Sequence, residues 1–409
     1  VTIPMMKKTG YKPEFAGAVE AAASTGGQIM PPIMGAAAFL MAEYMGVTYG
    51  QVTLWAILPA VLYFGGIFIS VHLEAKKLGL KGIPRSELPR FKYLIRNVYL
   101  LLPLVFLIWM VTANIRSLQF SAAIAILISI AVSLVGTICD ASAEVRETKT
   151  GSVAGITAKK TGRMILDSLE AGGKGSITVA VACAMAGMIA GCITVTGLAS
   201  KLISGVIAIS SAIPNPTLSL LLALFLTMLC CIVLGMGVPT TANYCIMAST
   251  CAPILITLGI PKVAAHFFVF YFGIVADITP PVALAAYAGS AIAKSNPMKT
   301  GINATKLAIA AFIVPFIFAY NPQMLFENVT SVFQVVQIVI TALLGIFAVA
   351  AGLEGYILRK MGWPLRVLAV IGGLTLLIPG TVSDLIGLVI VAGIIALQLL
   401  QNKRERSEV

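Results

Sequence analysis

Three short stretches place small residues, prolines and side-chain oxygens inside otherwise apolar sequence. They are Ser24-Thr25-Gly26-Gly27-Gln28-Ile29-Met30-Pro31-Pro32, Gly235-Met236-Gly237-Val238-Pro239-Thr240-Thr241-Ala242-Asn243 and Ala276-Asp277-Ile278-Thr279-Pro280-Pro281. Glycine permits non-helical backbone and proline removes a helical N–H donor, so each stretch should interrupt a helix. An interruption frees backbone carbonyls. Together with Ser and Thr hydroxyls these are hard oxygen ligands that suit a small cation, while the N-termini of the following half-helices can face an anion. At membrane depth such backbone is tolerated only where it is buried or lines a cavity. Asp277 is the acid of the third stretch, and an intramembrane carboxylate is a functional candidate by default. Three roles stand open for it: cation ligand, proton carrier, or cap for Thr279 and its neighbours. Glu20, near the cytoplasmic end of its half-helix, reads as structural.

Other chemistries find little support. Cys183, Cys192, Cys230, Cys231, Cys245 and Cys251 lie inside apolar segments, Cys139 lies at a segment end, and His72 is far from His266. Without a CxxC or a Cys/His cluster, we expect packing thiols and no metal-cysteine site. No phosphate-cradling GK[ST] loop is present, so ATP use by this chain is not expected. An intramembrane hydrolase would need a Ser/His or Asp/Asp arrangement, and Asp277 has no second aspartate beside it. The chain is therefore expected not to be an enzyme and to need no cofactor. Asn328-Val329-Thr330 fits a glycosylation sequon, to which no role is assigned.

The elements that must hold these stretches are membrane helices. Hydrophobic residues make up 59% of the 409 and charged residues 11%, where a soluble domain carries about 25% charged. Mean hydropathy is +0.98. Many apolar runs approach the roughly 20 residues that cross a bilayer. The fold class expected is an all-α polytopic membrane protein in a lipid bilayer. The net charge of +12 comes from basic residues between apolar runs, where they set orientation; nucleic acid is not implied. Lysines and arginines from Glu74 to Arg96 mark a cytoplasmic loop. Lys294, Lys299 and Lys306 mark another, Arg359, Lys360 and Arg366 a third, and Lys403, Arg404 and Arg406 a cytoplasmic tail. Apolar runs Val98–Ile115 and Phe120–Ile138 precede Ile156–Leu169, which reads as an amphipathic helix at the interface. Crossings between two cytoplasmic loops must be even in number. Of the five runs from Lys174 to Lys294, the short, polar Leu198–Ile213 is therefore expected to lie along the outer interface. Pro214-Asn215-Pro216 should then turn the chain into a hairpin.

Two of the three stretches belong to a repeat with an offset of 249 positions. Pro4 matches Pro253, Gly10 matches Gly259, Ile29 matches Ile278, and Pro31-Pro32 match Pro280-Pro281. Lys7, Lys8 and Lys12 precede the first break. In the second copy only Lys262 holds that place, and the lysines follow the break. The copies should therefore run in opposite directions, and inverted repeats with interrupted helices are a signature of secondary transporters. A lone Pro/Gly break is more often a structural kink; two matching breaks and a polar hairpin tip favour a transport site. The partner of the tip at Gly235–Asn243 would fall before Val1, so a longer natural chain is expected. This divides the sequence into residues 1–50 with the first broken helix, 51–174 with scaffold helices and the amphipathic segment, 175–323 with the second copy and its hairpin, and 324–409 with three further apolar helices.

The runs EAAASTGGQIMPPIMGAAAF, GMGVPTTANY and ADITPPVALAAY resemble the large membrane subunit of tripartite ATP-independent periplasmic (TRAP) transporters, most of all its TAXI branch. The likeness covers about Val1 to Gln323. It implies an elevator-type transporter in a bacterial or archaeal cytoplasmic membrane, with a re-entrant hairpin and broken helices in a mobile domain. It also implies import of small organic acids (dicarboxylates, keto acids, glutamate-like anions) delivered by a periplasmic TAXI-type substrate-binding protein, with a small membrane subunit fused N-terminally. Carried over residue by residue, cation and substrate binding falls to Ser24, Thr25, Gly26, Gly27, Pro31 and Pro32; to Gly235, Gly237, Val238, Pro239, Thr240, Thr241 and Asn243; and to Ala276, Asp277, Thr279, Pro280 and Pro281. Na⁺ would sit at Ser24, Thr25, Gly237, Asp277 and Thr279. Asp277 stands where many relatives are expected to be neutral, which leaves Na⁺ and H⁺ both open as coupling ion. The alternative is an ion or solute channel without a binding protein; the sequence holds no pore stretch for one.

Overall fold

The computed structural model describes residues 2–82, 95, 98–112, 118–148, 152–327, 329, 331–376 and 381–407. Helices account for nearly all of them. In chain order these are α1 (Thr2–Lys8), α2 (Pro13–Gly26), α3 (Ala37–Met45), α4 (Tyr49–Leu78), α5 (Leu102–Thr112), α6 (Leu118–Thr148), α7 (Val153–Val195), α8 (Leu198–Ser211), α9 (Pro216–Gly235), α10 (Thr240–Thr250), α11 (Ala252–Thr257) and α12 (Lys262–Val275). A 3-10 turn at Ala276–Ile278 leads to α13 (Leu284–Ala293), α14 (Pro297–Leu307), α15 (Ile309–Tyr320), α16 (Val332–Glu354), α17 (Trp363–Thr375) and α18 (Thr381–Ser407). Among the described residues, six stretches are long and apolar enough to cross a bilayer: Tyr49–Leu78, Gln119–Ile138, Pro216–Gly235, Pro297–Tyr320, Val332–Glu354 and Val382–Gln401. The chain is an all-α polytopic membrane protein.

The helices form two compact units. The larger takes in Val1–Val47, Gln51–Gly82 and Met185–Val409. Its centre is α12, in which every residue from Val263 to Val275 is buried. Burial on every side makes it a core helix. Its aromatic side meets α15 edge-on, with Phe268 against Phe316 at 5.6 Å and Phe267 against Phe318 at 6.3 Å. Around this core lie α9, α10 and α3, while α2 packs on α13 and α14. The hairpin entrance is built as its sequence suggests: the Asn215 side chain accepts from the N–H groups of Thr217 and Leu218, and Pro216 begins α9, a favoured N-terminal pairing. Helix α8 has 14 residues, about 21 Å of helix against about 30 Å of hydrocarbon. Helices α16 to α18 pack on one another, and Leu73 of α4 joins Ala351, Met361, Ala369 and Ile394 in one apolar cluster.

The smaller unit, Thr48–Gly50 with Ile83–Ala184, holds α5, α6 and the first part of α7. Between α6 and α7 an apolar groove is lined by Ile126, Ile130, Met164 and Ile165. The Ser133 hydroxyl donates to Met164 Sδ at 2.9 Å.

Two expectations are corrected. The amphipathic segment Ile156–Leu169 is not a separate helix. It is the first part of α7, which runs 43 residues without a break. Gly172 and Gly173 each weaken a helix only modestly, and no proline interrupts it. Lys299 and Lys306 do not lie in a loop either. The turn is confined to Lys294–Asn296, and both lysines sit on α14, whose start is capped by Asn296 Oδ1 accepting from the Lys299 N–H at 3.0 Å. Charge counting locates a membrane end but does not separate loop from helix. The Asn328-Val329-Thr330 sequon, Arg116 and the centre of the 74–96 loop fall wholly or partly outside the described residues.

Candidate functional site

Each of the three stretches interrupts its helix. In the first, α2 ends at Gly26 and α3 begins at Ala37, with turns closed by Gln28 N–H to Thr25 O at 3.2 Å and Gly35 N–H to Gln28 O at 2.9 Å. In the second copy α12 passes into the 3-10 turn and α13 begins at Leu284, after Ala283 at φ +35°. The Pro31-Pro32 and Pro280-Pro281 peptide bonds are both cis. The matched positions of the repeat therefore share backbone geometry as well as residue type. The third stretch is the hairpin tip, with Gly237 at φ +76° between α9 and α10. This left-handed conformation suits glycine and costs other residues energy.

The structure brings the hairpin tip to the second break. A Cβ on Gly235 would lie 3.0 Å from Ala276 Cβ, and one on Gly237 would lie 3.7 Å from Val282 Cγ1. Asn243 fastens this junction. Fully buried, it donates from Nδ2 to Gly273 O at 2.8 Å and more weakly to Gly235 O at 3.5 Å. It thus ties α10 to the carbonyl ends of both α9 and α12. Asp277 and Thr279 are half-buried here. The Thr279 hydroxyl donates to Val275 O at 2.8 Å, which leaves its oxygen lone pairs for a ligand. The Tyr287 hydroxyl holds Pro281 O. Thr240, Thr241, Val238 and Pro280 are also half-buried, whereas Gly237, Pro239 and Pro281 are exposed.

The first break joins this group through its helix. α2 packs against the 3-10 turn that carries Asp277. Thr25 and Gly26 are buried, Ser24 and Gly27 exposed, and Pro31 and Pro32 intermediate. A residue outside the three stretches braces it: the Tyr63 hydroxyl on α4 donates to Ala22 O at 2.6 Å. A Cβ on Gly26 would come within 2.8 Å of Tyr63 Cδ1 and 2.9 Å of Phe64 Cζ. A second pair escaped sequence reading. Tyr244 OH on α10 and His266 Nδ1 on α12 are 2.8 Å apart, and Tyr44 of α3 meets the Tyr244 ring edge-on. Neither contact has a local sequence signal, because each partner is ordinary in its own helix.

The two copies also cap each other. Lys7, ahead of α2, donates to Ala293 O at the end of α13 at 2.8 Å. Lys262, the first residue of α12, donates to Met45 O at the end of α3 at 3.3 Å. Each copy's entrance thus lies beside the exit of the other, as opposite orientations require. A lysine at a helix C-terminus also satisfies free carbonyls and suits the helix dipole. Where α2 crosses α13, Gly17 and Gly289 meet: a Cβ on Gly289 would lie 2.6 Å from Gly17 O. Small residues permit such close approach between membrane helices.

Two broken helices with reciprocal lysine caps, and a hairpin tip set against the second break, make up this part of an all-α polytopic membrane protein. Residues 1–330 match the family described as "Tripartite ATP-independent periplasmic transporter, DctM component", and the chain belongs to that family. It is a transporter family whose membrane component works with a periplasmic substrate-binding protein. No match was found among the curated proteins compared.

Proposed function

We propose that this chain is a symport permease that imports small organic acids received from a TAXI-type periplasmic binding protein, using the Na⁺ or H⁺ gradient across a bacterial or archaeal inner membrane. The observation that carries the reading is the meeting of the hairpin tip with the second break, at Gly235–Ala276 and Gly237–Val282. This break carries freed carbonyls, the Thr279 hydroxyl and the Asp277 carboxylate within a few residues of chain. Oxygen donors of this kind suit Na⁺, and a carboxylate can take a proton instead. The organic anion would rest against Thr240, Thr241 and the N-terminus of α10. Cation binding orders the tip and offsets charge, so that the broken-helix domain moves across the membrane as an elevator. A small membrane subunit is a further partner.

Uptake of labelled dicarboxylates and glutamate into proteoliposomes tests this, with and without the binding protein and under separate Na⁺ and H⁺ gradients. Uptake that needs the binding protein and one gradient supports the symporter and names its ion. Uptake indifferent to both points to a channel. Within that assay, Thr240→Ala should abolish uptake without loss of expression, and Asp277→Asn should alter the Na⁺ or pH dependence. An unchanged dependence would reduce Asp277 to a cap.

A further inference from the structure

A cavity of about 320 Å³ lies away from the three stretches, lined by Lys12, Glu74, Lys77, Asn303, Lys306, Glu354 and Arg366 over Phe15 and Leu353. Five helices meet there: the start of α2, the last turns of α4, α14, the end of α16 and the start of α17. Four cations face two carboxylates, which leaves a formal excess of two positive charges.

The carboxylates are already engaged. Glu74 and Glu354 flank the single Lys77 ammonium at 2.8 and 4.0 Å, with side chains only 9% and 12% exposed. They form the floor. Arg366 is held rigidly at the side: Nε donates to Gly352 O at 2.8 Å, Nη2 donates to Leu353 O at 2.7 Å, and the guanidinium lies over the Trp363 ring. Lys12 and Lys306 stand at the exposed mouth and make no ion pair within 4.0 Å among the described residues. Asn303 adds an amide that can donate. The two carboxylates offset half of this positive charge, and a bound anion would offset the rest.

We propose that this cavity binds a phosphate group. The ligand is a phosphate carried either by an anionic phospholipid headgroup or by a soluble molecule. Both present a compact anion with several acceptor oxygens, which matches lysine, arginine and amide donors that converge from different directions. A basic pocket between helices at the lysine-rich end of a membrane protein is also where headgroup phosphates lie. Leu353, Glu354 and Arg366 come after residue 330, where the family match ends. The site therefore depends on α16 and α17 as well as on the family part of the chain.

The test uses the full chain, delipidated in detergent and separately in nanodiscs, and needs neither gradient nor binding protein. It thus stands or falls apart from the transport reading. Melting temperature is followed against inorganic phosphate, with chloride at equal ionic strength as reference, and in nanodiscs of phosphatidylglycerol or phosphatidylcholine. Phosphate should protect the wild type in detergent if the ligand is soluble; phosphatidylglycerol alone should protect it if the ligand is a lipid. In either case Lys12→Gln and Lys306→Gln should weaken the half-saturating concentration or the lipid-dependent shift, by about tenfold for a lost charged hydrogen bond. Lys306→Arg should restore it, and Lys299→Gln, on the same helix but outside the cavity, should leave it intact. No shift with either probe, or a shift that survives both glutamine variants, would overturn the proposal.

Discussion

Gly26 has no room for a side chain, because the rings of Tyr63 and Phe64 occupy the space where a Cβ would stand. Gly26→Ala should therefore cost about 1–3 kcal/mol through overpacking, read as a lower melting temperature in detergent; an unshifted melt would mean that the rings move aside freely. Tyr63→Phe keeps the packing but removes the donor to Ala22 O, a loss of about 1 kcal/mol. Equal melting of variant and parent would show that this bond carries no weight. The glycines and prolines of the three stretches are legible in sequence because helix interruption is a local property of the residue. The role of Tyr63 is not legible, since its acceptor lies 41 residues away and a tyrosine in an apolar helix has many possible partners. Asn243 shows the limit in another way: the resemblance implies a binding role for it, but nothing in the sequence announces the two backbone acceptors through which it also ties α9, α10 and α12 together.

At the scale of elements, the two lysine caps set how the half-helices end. Lys262→Met should loosen the last turn of α3, and Lys7→Met that of α13, each by about 0.3–1 kcal/mol. Hydrogen exchange should locate the first loss near Met45 and the second near Ala293; protection unchanged at both places would refute the capping. Gly237→Ala asks an alanine to hold φ +76° and should cost about 1–2 kcal/mol. Because the strain falls on the hairpin tip, uptake should suffer more than melting temperature; the reverse order would separate the tip from transport. Element ends set by Pro and Gly were readable, as at Asn215-Pro216 and the two Pro-Pro turns. Ends inferred from charge were not: α14 carries Lys299 and Lys306 along its length, and α7 continues past Leu169 through Gly172, Gly173 and Gly175. A lysine tells which end of the membrane is near, and its long side chain serves a helix or a loop equally well.

Across the whole molecule, the helices beyond the family match are joined by glycine contacts. A Cβ on Gly373 of α17 would lie 2.7 Å from Gly345 O of α16, and one on Gly66 of α4 would lie 3.1 Å from Ile346 Cγ2 of α16. Gly373→Val should force α16 and α17 apart at a cost of about 1–3 kcal/mol, with earlier proteolysis after residue 331 as the readout; cleavage at the parental rate would show the seam to be loose. The reciprocal caps have a consequence for the making of the protein. The carbonyl of Met45 waits for Lys262, which is 217 residues later in the chain. At about 5–20 residues per second of synthesis, α3 spends roughly ten to forty seconds in the membrane with its end unfinished. The first broken helix is thus completed only once the second copy has begun to follow it into the membrane.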